Sequence, residues 1–227
     1  MSAEDVFIEG ISEVRVVLNL STTGNALNFE TGNALRRASV VLLVSHFESF
    51  LKEIAIEFID EIGTGNLEAR ALPVGVRRLH TLPVLKSIVE CGDSAQQQNL
   101  FKKIHDVAAL WNDSSKPPRN VLKGELLRRQ VTSARPDVID GLFAMMGSST
   151  GVCDGDIDVP LADGTDVVPT SIRLSLEDVI RCRNDIAHGD SSRRPTAEDL
   201  ERYIQFLATL AGRLQRKATG LAASVVS

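Results

Sequence analysis

N-A-L-R-R-A-S-V-V-L-L-V-S-H-F-E-S-F-L-K-E-I-A-I-E-F-I-D-E-I, residues 33 to 62, is the stretch whose apolar period decides the fold. Leu35, Ala38, Val41, Leu42, Phe47, Phe50, Leu51, Ile54, Ala55, Phe58, Ile59 and Ile62 recur at spacings of three and four. That rhythm belongs to a helix with a wide buried stripe, and Gly63-Thr-Gly65 then ends it. A helix this long predicts the centre of an all-α bundle.

The flanking segments extend the same reading. Residues 4–20 predict a helix, although their β-branched second half also suits a strand, and S-T-T-G-N after them is a turn. Residues 66–94 carry Pro73, Gly75, Pro83 and Gly92 and predict short helices or turns. Leu100, Ile104, Val107, Ala108 and Trp111 give residues 96–112 a helical face, and D-S-S-K-P-P-R is a loop. Two short helices follow, over 120–130 and 136–146. Residues 147–172 hold five aspartates, four glycines and no lysine or arginine. They predict an acidic, irregular insertion, with Asp163-Gly164 as the turn of a small β-hairpin. Ser175 and Asp178 read as a capping box opening a helix to His188, which Gly189 ends. Pro195, Thr196 and Asp199 open the last helix, with Leu200, Tyr203, Ile204, Leu207, Leu210, Ala211 and Leu214 on one face. The expectation is one helical domain over residues 1–227, with the insertion at about 147–172.

Composition limits the function. Hydrophobic residues make up 43% of 227, enough for a real core. Aromatics at 4% and a net charge of −5 argue against an extensive base-stacking platform or a broad DNA-coating surface. Any nucleic-acid contact is then local, at a basic patch. Cys91, Cys153 and Cys182 form no C-x-x-C pair or zinc spacing, which suits reduced thiols in a cytoplasm. The acidic start M-S-A-E-D-V-F-I-E-G does not read as a secretory signal, and no apolar run approaches a membrane span.

Most candidate motifs fail on spacing. Asp154, Asp156 and Asp158 alternate like the first ligands of a calcium loop, but Val159 stands where glycine is needed and Thr165 where glutamate is. Thr22-Gly24 and Gly63-Gly65 lack a phosphate-cradling glycine-lysine pattern. His46, His80 and His105 have no partner at ligand spacing. No metal or cofactor is expected.

R-C-R-N-D-I-A-H-G-D, residues 181 to 190, differs, because it concentrates polar chemistry at a helix end. Asn184 precedes His188 by four residues on one face, whereas Arg183 lies about 140° round an ideal helix from His188. The two heads converge only if the last turn loosens, which Gly189 would allow. Imidazole moves protons near neutral pH, and guanidinium spans two phosphate oxygens. Together they suit cleavage of a phosphodiester whose own 2′-hydroxyl is the nucleophile, which means RNA. The plainer alternative is a helix end with cations favouring its dipole, Arg183 pairing with Glu177 or Asp178.

R-N-D-I-A-H-G, 183 to 189, resembles the R-x4–6-H motif of the HEPN superfamily, the helical domains of many prokaryotic toxin and antiviral ribonucleases, including the RiboL-PSP-HEPN and MAE-like types. V-L-L-V-S-H-F-E-S-F-L-K-E-I, 41 to 54, resembles their long early helix with its aromatic-glutamate pair, here Phe47-Glu48. The resemblance spans about residues 33–215. It implies a HEPN-type helical bundle in which Arg183 holds the scissile phosphate, His188 transfers protons and Asn184 orients one of them. Glu48 and Asp185 are supporting candidates, although spacing alone pairs Glu48 with Lys52 at i+4. It further implies a homodimer with a composite site, an RNA substrate, and an antitoxin or defence-system protein as partner. Five basic doublets, Arg36-Arg37, Arg77-Arg78, Lys102-Lys103, Arg128-Arg129 and Arg193-Arg194, discriminate the readings: RNA binding expects some of them around the motif cleft, an adaptor expects them scattered, and Arg193 and Arg194, nearest the motif, are the candidate RNA contacts. The rivals are a non-catalytic HEPN-like module binding RNA, a nucleotide or a protein, and a structural adaptor.

Overall fold

The computed structural model describes residues 1–22, 29–64, 67–118, 120–161 and 166–226. The turn after residue 22 and the Asp163-Gly164 turn lie largely or wholly outside the described residues. The helices are α1 (Ala3–Thr22), α2 (Phe29–Thr64), α3 (Val74–Glu90), α4 (Ser94–Phe101), α5 (Ile104–Ala109), α6 (Gly124–Arg128), α7 (Pro136–Met145), α8 (Ile172–Ala187) and α9 (Ala197–Val226). Two strands, β1 (Asp156–Pro160) and β2 (Val167–Ser171), form an antiparallel hairpin with Asp156 opposite Ser171 and Pro160 opposite Val167. The fold is all-α, and this hairpin is the one small sheet among the described residues. No helix among the described residues is long and apolar enough to cross a membrane.

The chain divides into two compact units. The first comprises Met1–Leu51, Thr132–Ile139 and Val152–Arg216. Its core includes an aromatic cluster in which Phe7 of α1 lies 5.5 Å from both Phe47 and Phe50 of α2, ring centre to ring centre. Gly10 lets α1 approach closely: a Cβ there would meet the His46 ring at 2.6 Å. On α2 the buried face here is Ser39, Val40, Leu43, Val44, Phe47 and Phe50, while Ala38 is exposed and Val41 and Leu42 are half-buried. The expected stripe is thus out of phase at this end. Residues 40–44 are all apolar, so periodicity there cannot say which side turns inward.

The start of α8 also differs from expectation, whereas that of α9 agrees. The helix α8 begins at Ile172, directly from β2, so Ser175 is inside it and caps nothing. A reciprocal capping box opens α9, where the Thr196 hydroxyl accepts from the Asp199 N–H at 3.0 Å and the Asp199 carboxylate accepts from the Thr196 N–H at 3.0 Å. The acidic insertion contributes to the core, because Val152, Cys153 and Val159 are buried. Asp154 pairs with Arg173 at 2.8 Å.

The second unit comprises Lys52–Val131, Asp140–Gly151 and Lys217–Ser227. Ile54, Ala55, Phe58, Ile59 and Ile62 continue α2 as a fully buried stripe, as the spacing predicts. Instead of short turns, α3 is a 17-residue helix that contains Gly75 and Pro83. Gly75 is tolerated because nothing larger fits: a Cβ would meet the Met145 Cα at 2.6 Å. Pro83, which has no N–H to give the helix, lies on the exposed side of α3. The face over 96–112 is split into α4 and α5 at Lys102-Lys103, and only Val107 and Leu110 are buried. His80 is buried, its Nε2 accepting the Lys123 N–H at 2.8 Å and its Nδ1 2.8 Å from the Val76 carbonyl.

Candidate functional site

Every residue of the motif lies on α8 or just past its end, in the first unit. Leu176, Val179 and Cys182 are fully buried and fix which way α8 faces. That rotation leaves Arg183 half-buried toward α2. There its Nη2 donates to Glu48 Oε1 at 2.6 Å, and its Nη1 donates to Asn184 Oδ1 at 3.1 Å. Arg183 therefore pairs with neither Glu177 nor Asp178, and Glu48 takes Arg183 in place of its i+4 neighbour. A guanidinium has five N–H donors, so most of Arg183's remain to bind an anion.

The last turn of α8 does not loosen. The His188 N–H donates to the Asn184 carbonyl at 2.9 Å, a regular i−4 bond. Gly189, at φ +85°, then reverses the chain, its N–H donating to Ile186 and the Asp190 N–H to Asp185. These two bonds form a Schellman motif, which glycine allows because it has no side chain to strain. The His188 ring is exposed and has no hydrogen-bond partner among the described residues. Within one chain, Arg183 and His188 stay on different flanks, about 140° apart as on an ideal helix.

The loop after His188 is held from α2. Arg36 Nε donates to the Pro195 carbonyl at 2.9 Å, and Arg37 Nη1 donates to the carbonyls of Arg193, at 2.8 Å, and Asp190. Inside the loop, Asp190 accepts from the Ser192 hydroxyl and N–H at 2.7 and 2.8 Å, bonds that hold its carboxyl below the ordinary range. Arg193 pairs with Asp178 at 3.4 Å, and the Arg194 guanidinium lies 5.2 Å from the centre of the Phe29 ring. Asp178 also accepts the Tyr203 hydroxyl at 2.8 Å; burial, then this bond, push that phenol above its ordinary range. The two doublets nearest the motif thus act as struts of this loop. Sequence alone shows the doublets but not which carbonyls they meet.

Asp185 is half-buried, with no ion pair among the described residues, and its carbonyl serves the Schellman bond. An open groove lies along the same face of α8, with Arg181 and Asn184 on one wall and Arg135 on the other. Sequence reasoning missed Arg135, because it lies far from the motif in the chain and belongs to no doublet. Among the described residues, no cluster of histidine, cysteine and carboxylate side chains is arranged to hold a metal ion.

No curated protein and no solved structure matches the chain. The family model RiboL-PSP-HEPN matches residues 7–218, which covers both units and every motif residue. The chain is a HEPN-type helical module and belongs to the RiboL-PSP-HEPN family.

Proposed function

We propose that this module is an endoribonuclease that cleaves RNA through attack of the substrate's own 2′-hydroxyl. The observation that carries the reading is the anchoring of Arg183. Glu48 and Asn184 fix its guanidinium at the helix surface, and most of its donors are left for a ligand. A fixed cation set where phosphate charge grows lowers the barrier without reorganising during the reaction.

In the step proposed, the 2′-oxygen forms a bond to phosphorus as the bond to the 5′-oxygen breaks. A base removes the hydroxyl proton, an acid protonates the departing 5′-oxygen, and the products are a 2′,3′-cyclic phosphate and a 5′-hydroxyl. Arg183 holds the non-bridging oxygens, Asn184 orients Arg183, and His188 transfers a proton. The regular last turn of α8 keeps one chain's Arg183 and His188 on different flanks. That favours a homodimer in which the His188 of one copy serves the Arg183 of the other. The role that follows from such chemistry is toxin or defence action against RNA, with an antitoxin or another defence-system protein as the regulating partner and the cytoplasm as the setting.

The test is product chemistry. End-labelled single-stranded RNA incubated with the purified protein in EDTA is expected to yield 2′,3′-cyclic phosphate ends. The same RNA with 2′-O-methyl groups at the cut sites is expected to stay intact. Cleavage of the blocked RNA would exclude the 2′-hydroxyl mechanism.

A further inference from the structure

We propose that the open groove on the flank of α8 seats a nucleotide of single-stranded RNA beside the scissile position, with Arg135 and Arg181 on its phosphates. The inference rests on the RNA reading above and names where the strand lies.

Position comes first. Residues 177, 181, 184 and 188 fall within about 60° of one another round an ideal helix, so one ridge carries Glu177, Arg181, Asn184 and His188. The groove, about 430 Å³, runs along this ridge. That is within the range of small-ligand sites, roughly 300–1,000 Å³. Asn184 joins it to the anchored arginine, since its Oδ1 accepts from Arg183 and its amide N–H groups remain to donate.

The state of the arginines comes second. Around the motif, Arg36, Arg37, Arg183, Arg193 and Arg202 are all engaged by carbonyls or carboxylates, and Arg194 lies against Phe29. Arg135 and Arg181 differ. Both are exposed, and neither side chain has a hydrogen-bond or ion-pair partner among the described residues. Among the described residues they offer a phosphate every guanidinium N–H, whereas Arg183 offers those that Glu48 and Asn184 leave.

The other lining groups set the ligand class. Asp137, Glu177 and Asp185 would repel a bare anion, so a free phosphate does not suit the groove. A nucleotide suits it, because it pairs a phosphate with the N–H and O–H donors of base and ribose, which carboxylates accept. Ile180 and Pro136, both buried, give the base an apolar floor.

The test is binding of a single-stranded RNA carrying 2′-O-methyl groups throughout, followed by fluorescence anisotropy across a salt series. The double variant Arg135→Ala with Arg181→Ala is expected to bind on the order of tenfold more weakly and to lower the salt slope by about 1.4, or about 0.7 for each phosphate no longer neutralised. Arg128→Ala with Arg129→Ala, which removes the same charge elsewhere, is expected to leave affinity unchanged. Equal loss in both pairs would reduce the effect to net charge and overturn the groove. Unchanged affinity in the first pair, with cleavage of ordinary RNA intact, would overturn the groove and leave the ribonuclease reading standing. Loss confined to the first pair in a protein that cleaves nothing would keep the groove as an RNA site and remove the ribonuclease. A wild-type protein that binds no RNA would overturn both.

Discussion

Arg183 Nη2 lies 2.6 Å from Glu48 Oε1, on side chains that are 27% and 17% exposed, so α2 holds the motif arginine of α8. Removing one partner of a fully buried pair costs about 3–5 kcal/mol, and the partial exposure here brings Glu48→Ala down to about 1–2 kcal/mol. In a double-mutant cycle by urea denaturation, Glu48→Ala and Arg183→Ala are expected to couple, so that the double variant is more stable than additivity allows. Strict additivity would show that the pair contributes nothing.

The composite dimer makes a mixing prediction. If each site takes Arg183 from one copy and His188 from the other, then Arg183→Ala and His188→Ala, each inactive alone, regain activity when co-refolded. Half the dimers would be mixed and each would carry one intact site, so about one quarter of wild-type activity returns. No recovery, with mixed dimers present by mass spectrometry, would place both residues of a site on one chain.

His80 gives the second unit a pH-dependent stability. Burial lowers its pKa from the ordinary 6.5 and outweighs the backbone hydrogen bonds that raise it. The folded state therefore prefers neutral imidazole. Its contribution is complete above about 6.5 and is lost as pH falls through the lower, folded value. Urea unfolding is expected to show stability falling as pH drops below about 6.5, with a shallower fall in His80→Gln. Equal slopes would remove His80 as the cause.

Gly75 tests the packing of the second unit. A Cβ there meets backbone of Met145 rather than a movable side chain. Gly75→Ala is expected to destabilise by about 1–3 kcal/mol or more, although alanine favours helices, and Gly63→Ala, in open space, to cost little. Equal effects by thermal denaturation would contradict the close approach.

The fold was largely legible, because helical period survives in sequence wherever one face alone is apolar. From Phe47 to Ile62 the stripe on α2 is unambiguous, and the core follows it. It failed where period carried no phase, at Val40 to Val44, and where a short-range signal outweighed a longer one, as with Pro83 inside α3. Ser175 misled for a related reason: its capping pattern is real in spelling, but β2 leads straight into α8 and leaves no end to cap there. At the site, the resemblance named both the local motif and Glu48, but the pairing of Glu48 with Arg183 was not legible. Glu48 and Arg183 are 135 positions apart, a separation no spacing rule can reach.

The central claim is that Arg183 and His188 cleave RNA as one unit, and single-turnover cleavage of single-stranded RNA by wild type, His188→Ala, Arg183→Ala and the double variant tests it most directly. Loss of a general acid-base costs on the order of 10² to 10⁴ in rate, and residues acting together do not lose additively. The prediction is that each single variant falls by that order and that the double variant falls little further, with helical circular dichroism unchanged in all. A His188→Ala protein that cleaves at the wild-type rate would contradict the account.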